Sequence, residues 1–433
     1  MMKKTISAEA MPMAVPSSAN LSRYLQLALL VLAAGAIYPM LYLRQVYQST
    51  MLEALAIGNS ELGYLYSILG SAFLVSYLPS GWLADRISPR YLISFSLLGT
   101  GVLGLWYAQL PGFQALLAIF CGFGITTGLT FWASLIKRVN MLAGEAEQGR
   151  FFGVLDGGRG LVEALLATVA IALFAYVTET RGERNAEGLQ LVIHLYAACC
   201  IVLGVVLMML RDPQGVRGER AASGKGNLLE DLRTLARIPE LWLVTAIVFC
   251  GYHFFWATYS FSAYLQEGGF GLSATMAGLI TTIKLWMRPV GGIGGGWLGD
   301  RFSKTGVLTW AMLLSALGML GLVLLPSLHV LSVLVFLVIF IGLMTYAIRG
   351  LYWAILDDCH IPLRVTGLAI GIISLVGYSP DVFLPLLNGW ITDRFPGFVG
   401  YQIYFSYVVA VGLLGVVATL ILKKRIDKRA RQA

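Results

Sequence analysis

The chain has 433 residues, 58% of them hydrophobic and 12% charged, with a formal net charge of +8. Soluble domains carry roughly 25% charged residues, so charge this scarce cannot coat a water-soluble chain of this length and most of the surface must face lipid. The positive excess does not mark a nucleic-acid-binding protein, because the basic residues are spread between apolar runs. The five cysteines (Cys121, Cys199, Cys200, Cys250, Cys359) sit in or beside those runs without metal-ligand spacing or a disulfide pattern.

In chain order, residues 1–22 form a polar tail without the apolar core of a signal peptide. Apolar runs follow at roughly 24–50, 61–84, 90–110, 113–136, 151–177 and 189–210, and six more at 240–266, 272–298, 305–325, 329–353, 363–392 and 398–422. Each is long enough for the roughly 20 residues that cross a bilayer core. The expected organisation is a cytoplasmic tail (1–22), a six-helix bundle (23–210), a cytoplasmic linker (211–239) helical near Leu228–Arg237, a second six-helix bundle (240–422) and a basic tail (423–433). Arg86, Arg90, Lys137, Arg138, Arg301 and Lys304 share one side with the basic tail; the opposite loops at 51–60, 111–112, 267–271 and 326–328 carry no Lys or Arg, and only those at 178–188 and 394–397 carry a few Arg, the former diluted by Glu179, Glu183 and Glu187. Both termini are therefore expected in the cytoplasm.

The two sets of six are copies of one unit. Gly81 to Arg90 reads GWLADRISPR, Gly296 to Lys304 reads GWLGDRFSK, and the offset is 215 residues. Arg150-Phe-Phe-Gly153 matches Arg364-Val-Thr-Gly367, and Gly63 matches Gly278, at nearly the same offset. Such spacing marks an internal repeat. Twelve spans as 6+6, a central linker and G-x-L-x-D-R after spans two and eight resemble the major facilitator superfamily over essentially the whole chain. That resemblance implies an all-α fold of two pseudo-symmetric six-helix bundles and a cytoplasmic latch. In the latch, Asp85 meets the start of span eleven near Arg364, and Asp300 meets the start of span five near Arg150. Gly81, Arg86, Gly296 and Arg301 complete the motif. The alternative is that these residues only serve topology and loop turns. A narrower, partial resemblance lies in Tyr42-Leu-Arg44-Gln-Val-Tyr47, which is similar to the span-one element of organophosphate/phosphate antiporters and implies that Arg44 binds an anion. The second arginine of that branch is absent, Tyr252-His253-Phe-Phe-Trp256 standing in its place, and Tyr77 replaces its span-two lysine.

An ionisable group inside the bilayer is costly, so each is a functional candidate. Asp156, Arg159 and Glu163 are spaced three and four apart on one face of span five, either as a self-neutralising triad or with Glu163 carrying a proton. Lys284 and Arg288 share a face of span eight, Arg349 lies in span ten, and Asp381 sits between Pro380 and Pro385 at an expected helix break. Arg44, Arg159, Lys284, Arg288 and Arg349 outnumber Asp156, Glu163 and Asp381 by two, which favours an anionic substrate. Lys284 has the alternative of a salt bridge to Asp381, and Arg349 that of reaching toward Asp357. His253 is either a hydrogen-bonded core residue or a group that titrates with transport.

There is no phosphate loop, HExxH or GxSxG element, so neither an enzyme nor direct use of ATP is expected, and no cofactor or metal. The sequence reads as a monomeric inner-membrane secondary transporter of a small organic anion, working by symport or exchange. Arg44, Lys284, Arg288, Arg349, Tyr42, Tyr259, Tyr346 and His253 are the expected substrate contacts, and Glu163, Asp156 and Asp381 the expected proton carriers. An exporter of amphipathic compounds and a non-transporting sensor on the same scaffold are the alternatives.

Overall fold

The computed structural model describes residues 18–143, 147–210, 228–268, 270–324, 331–359 and 365–430. They are helical throughout, with no strand among them. In lipid every backbone N–H and C=O must be paired within its own segment, and an apolar helix does this. The N-terminal half holds α1 (Ser18–Ala36, Tyr38–Leu41 and Arg44–Leu55), α2 (Asn59–Arg86), α3 (Pro89–Tyr107), α4 (Phe113–Gly124 continuing through Trp132–Leu142), α5 (Gln148–Ala175) and α6 (Asn185–Met209). The other half holds α7 (Pro239–Ala257 continuing through Phe261–Glu267), α8 (Ala274–Arg301), α9 (Lys304–Leu324), α10 (Leu331–Leu351), α11 (Thr366–Gly377 and Pro380–Arg394) and α12 (Phe398–Ala430). Among the described residues nine spans are long and apolar enough to cross a membrane, or ten if the two arms of α2, bent by 58°, count as one. The charged and glycine-rich α8 is not one of them.

Prolines open α3, α7 and the second arm of α11, positions where the missing N–H would be unpaired in any case. The Ser273 side chain caps α8 by accepting from the Met276 amide at 3.2 Å. A helix at Leu228–Ala236 occupies the described part of the linker. The expected tail after residue 422 is instead a continuation of α12, tied to the start of α7 by Arg429 and Arg425 on the buried Glu240 carboxylate at 2.9 and 3.5 Å.

The helices alternate in direction, so the starts of the odd-numbered ones and the ends of the even-numbered ones share one end of the molecule, here the terminal end. The halves meet through α2 with α11, α5 with α8, and α1 with α7 and α8. At the opposite, far end the contact is a clasp. Asp393 accepts from the Asn59 and Ser60 amides that begin α2, at 3.0 and 2.7 Å. Ser49 donates to Glu267 at 2.9 Å, and Ser262 to the Val46 carbonyl at 2.6 Å. Every hydrogen bond between described residues of opposite halves lies at this end or at mid-depth. Among the described residues the halves are thus joined at the far end and make no hydrogen bond to each other at the terminal end.

Candidate functional site

At mid-depth α7 places Tyr252, Phe255, Trp256 and Tyr259 at helical three- and four-residue spacing, which makes one aromatic face. Tyr252–Phe255, Phe255–Tyr259 and Trp256–Tyr259 ring centroids are 5.3, 5.1 and 5.1 Å apart. The N-terminal half completes the wall: Tyr42 lies 5.4 Å from Tyr259, and Tyr66 6.2 Å from Trp256.

Cations surround this wall. Arg44 stands just after the second break in α1, where Tyr42 leaves helical geometry (φ −109°, ψ 33°). Its Nε donates to Gln48 at 3.0 Å, one Nη donates to the Asn388 side-chain oxygen of α11, and the guanidinium lies 5.8 Å from the Tyr66 ring. The other Nη of Arg44 and the Asn388 amide nitrogen are buried without a hydrogen-bond partner. Lys284 is fully buried, donates to Thr258 at 3.3 Å and lies 6.0 Å from the Tyr259 ring. Arg349 stacks 3.9 Å from Phe255 and 5.7 Å from Tyr252. None of these three cations has a carboxylate partner among the described residues. Buried charges left unpaired and donors left unsatisfied are both expensive, and an anion seated here would relieve both. Tyr346 lies against the same group, 6.0 Å from the Arg288 guanidinium.

Several expectations are corrected. The span-five triad does not neutralise itself: Arg159 pairs with Asp156 at 3.8 Å, whereas Glu163 reaches across the halves to Arg288. The reason is geometric, because the inter-half contact of α5 with α8 passes through Glu163 and Arg288. Arg288 is therefore neutralised in this state. Lys284 does not bridge to Asp381; Asp381 sits after the break at Gly377 and accepts from Trp256 Nε1 at 2.7 Å and Tyr252 Oη at 2.8 Å. Arg349 turns to the aromatic wall, and the Asp357 side chain lies outside the described residues. His253 belongs to the packing of its own half, bonded to the Phe249 carbonyl at 2.8 Å and to Tyr407 at 3.2 Å, and leaves the list of substrate contacts.

Among the described residues the doubled motif is not latched. Asp85 lies 3.6 Å from Lys137 in its own half, and Asp300 is exposed without an ion pair among the described residues. Arg364 lies outside the described residues, and Arg150 stacks over Tyr24. Each motif arginine covers the tryptophan one turn before it, Arg86 on Trp82 at 4.0 Å and Arg301 on Trp297 at 5.5 Å. A side chain on Gly81 or Gly296 would meet nothing within 4 Å, as expected of helix ends that have moved apart.

Gln48 and Asn388 are the site residues that charge counting misses. Both are lone amides in membrane-spanning segments, and the rule that polar groups at depth are functional would have found them.

The family model described as "Major Facilitator Superfamily" matches residues 24–385. The inner membrane protein YqcE of Escherichia coli (strain K12) is 29% identical over 414 residues, covering 93% of this chain and 95% of its own. The probable galactarate/D-glucarate transporter GudP of Pseudomonas putida is 24% identical over 410 residues, 85% of each chain. Among solved structures, a bacterial homologue of the human lysosomal transporter Spinster superposes with a TM-score of 0.76 at 15% identity, covering 95% of this chain and 99% of that one.

Proposed function

The chain belongs to the major facilitator superfamily of membrane transporters, and on that premise we propose that it carries a small organic anion across the inner membrane by alternating access, as a monomer. The observation that carries the reading is a set of three cations without carboxylate partners among the described residues, the buried Arg44 and Lys284 and the half-buried Arg349, around one aromatic wall. The resemblance to a galactarate/D-glucarate transporter agrees in charge class. Both termini lie in the cytoplasm on this reading, so the terminal end is the cytoplasmic one and the clasp is periplasmic. The units are the two bundles, 23–210 and 240–422, joined by the linker. Arg44, Lys284 and Arg349 hold the anion against Tyr42, Tyr259 and Tyr346, with Arg288 available once Glu163 releases it. Glu163 is the foremost proton carrier, ahead of Asp381 and Asp156.

The test is thermal stabilisation of the purified protein by D-glucarate, galactarate, other carboxylates and sugar phosphates, set against neutral sugars and lipophilic cations. A ligand at 100 times its dissociation constant adds about 2.7 kcal/mol to the folded state. One anion class should stabilise the wild type, and Lys284→Ala should need at least about tenfold more of it, since a hydrogen bond to a charged group contributes about 1.5–3 kcal/mol. Stabilisation by lipophilic compounds alone would overturn the anion reading.

On the same reading the latch forms in the opposite state, where Asp85 meets the start of α11 and Asp300 that of α5. Asp85→Asn should then favour the cytoplasm-open form and lower periplasmic labelling of a cysteine placed in the far-end clasp by a few-fold, as expected for a carboxylate lost from a helix N-terminus. Unchanged labelling would leave the motif with a topological role only.

A further inference from the structure

A second compartment adjoins Glu163, behind the breaks in α1. It is bounded by Tyr42, Gln45, Tyr47, Glu163, Tyr196 and Leu285, among others, and the space inside it open to the centre of a water-sized sphere is about 20 Å³. That is enough for about one water molecule, and the lining offers polar groups to hold it. At Tyr47 the backbone of α1 leaves helical geometry (φ −121°, ψ 26°). That turn sets the Tyr47 ring 5.2 Å from Phe174 of α5. The Tyr47 hydroxyl is buried and has no hydrogen-bond partner. Glu163 of α5, Tyr196 of α6 and Tyr47 of α1 line this one compartment together. The Glu163 carboxylate holds Arg288 and still keeps 15% of its surface uncovered.

We propose that this compartment is the proton-exchange chamber of Glu163, adjoining the anion seat through Tyr42, with Tyr196 and Tyr47 as its hydroxyl partners. The inference rests on the assignment of Glu163 as a proton carrier. The charged and titratable groups facing Glu163 are Arg288 and Lys284 of α8, Tyr38 of α1, Tyr196 of α6, Tyr259 of α7 and Tyr346 of α10. Its own helix adds Arg159 and Asp156, which are paired with each other. In this structure Arg288 holds the Glu163 carboxylate. When that pair opens, a hydronium ion entering from bulk water gives its proton to a Glu163 oxygen and remains as water; the reverse transfer regenerates the carboxylate. The two hydroxyls each donate one hydrogen bond to chamber water and accept another, so both tyrosines end neutral. An unpartnered buried hydroxyl such as that of Tyr47 is costly in a static core and useful in a chamber that holds water.

The experiment needs no substrate. Purified protein in detergent is subjected to a downward pH jump, and proton uptake is followed with a soluble indicator dye. Glu163→Gln should take up one proton fewer than the wild type. Tyr47→Phe and Tyr196→Phe should keep the wild-type proton count and melting temperature but take up the Glu163 proton at least about tenfold more slowly, the lower side of what a positioned proton partner contributes. A count that falls in Glu163→Gln while both tyrosine variants run at the wild-type rate would overturn the chamber and leave Glu163 as the carrier. An unchanged count in Glu163→Gln would overturn the carrier assignment itself. The anion reading stands or falls separately, on thermal stabilisation.

Discussion

For the proposed anion transport, Arg44→Ala is expected to lower uptake by at least about 100-fold in proteoliposomes, with the purified protein still folded. Arg44 is the cation with the most connections across the site: it holds Gln48 within its own half, Asn388 in the other half, and still has one Nη to offer. A hydrogen bond to a charged group contributes about 1.5–3 kcal/mol, and the unpartnered Nη carries two N–H donors. Losing both accounts for the expected factor. The empty protein should keep its melting temperature within a few degrees, because the substitution also removes an incompletely paired buried charge that opposes folding. Arg44→Lys separates charge from geometry. It keeps the positive charge but cannot present two parallel donors, so transport should remain at least about tenfold below the wild type. Uptake within about threefold of the wild type in Arg44→Ala would remove Arg44 from the site.

The sequence carried the architecture because its signals are long and repeated. Twelve apolar runs and a motif duplicated at a 215-residue offset define helices and halves without reference to packing. It also carried Arg44, Lys284, Tyr42, Tyr259 and Tyr346, which the structure brings around one aromatic wall. Pairing was the part it could not carry. Asp156, Arg159 and Glu163 share a helical face, and periodicity alone joins all three; the partner of Glu163 comes from α8, 125 residues away. The partners of Asp381 are likewise an indole and a phenol of α7, groups that a charge count ignores. His253 shows the converse, since its neighbours Phe249 and Tyr407 lie on the side of α7 that packs within its own half. Which face of an aromatic-rich helix meets the other half is a tertiary fact, and no spacing within the helix reveals it.

The far-end clasp leads to the second large effect. Gly389→Val should abolish transport by preventing that end from closing. A Cβ at residue 389 would sit 2.8 Å from the Asn59 carbonyl carbon and 2.9 Å from Ser60 Cα, both backbone atoms that cannot swing aside. Gly63 meets Pro385 just as closely, its Cβ position 2.9 Å from that carbonyl carbon, so α2 and α11 are in contact along their backbones. Inserting side-chain volume into packed contact costs typically about 1–3 kcal/mol, and here it also separates Asp393 from the two amides it accepts from. A bias of about 1.4 kcal/mol is a tenfold change in a two-state ratio. Thr50, buried beside the clasp, can serve as a reporter when changed to cysteine in a background without the native cysteines. Its labelling by a membrane-impermeant thiol reagent added from the side that the clasp faces should rise at least about tenfold in Gly389→Val. Asp393→Asn leaves the packing intact and removes only the carboxylate at the helix N-terminus, a contribution of about 0.3–1 kcal/mol, so its labelling should rise two- to fivefold with partial transport. That order follows from backbone contact being the main determinant of closure and Asp393 the lesser one. Labelling at the wild-type rate in Gly389→Val would mean that α2 and α11 are not the gate. The reverse order, with Asp393→Asn the stronger, would make the carboxylate the gate and the glycines its accommodation.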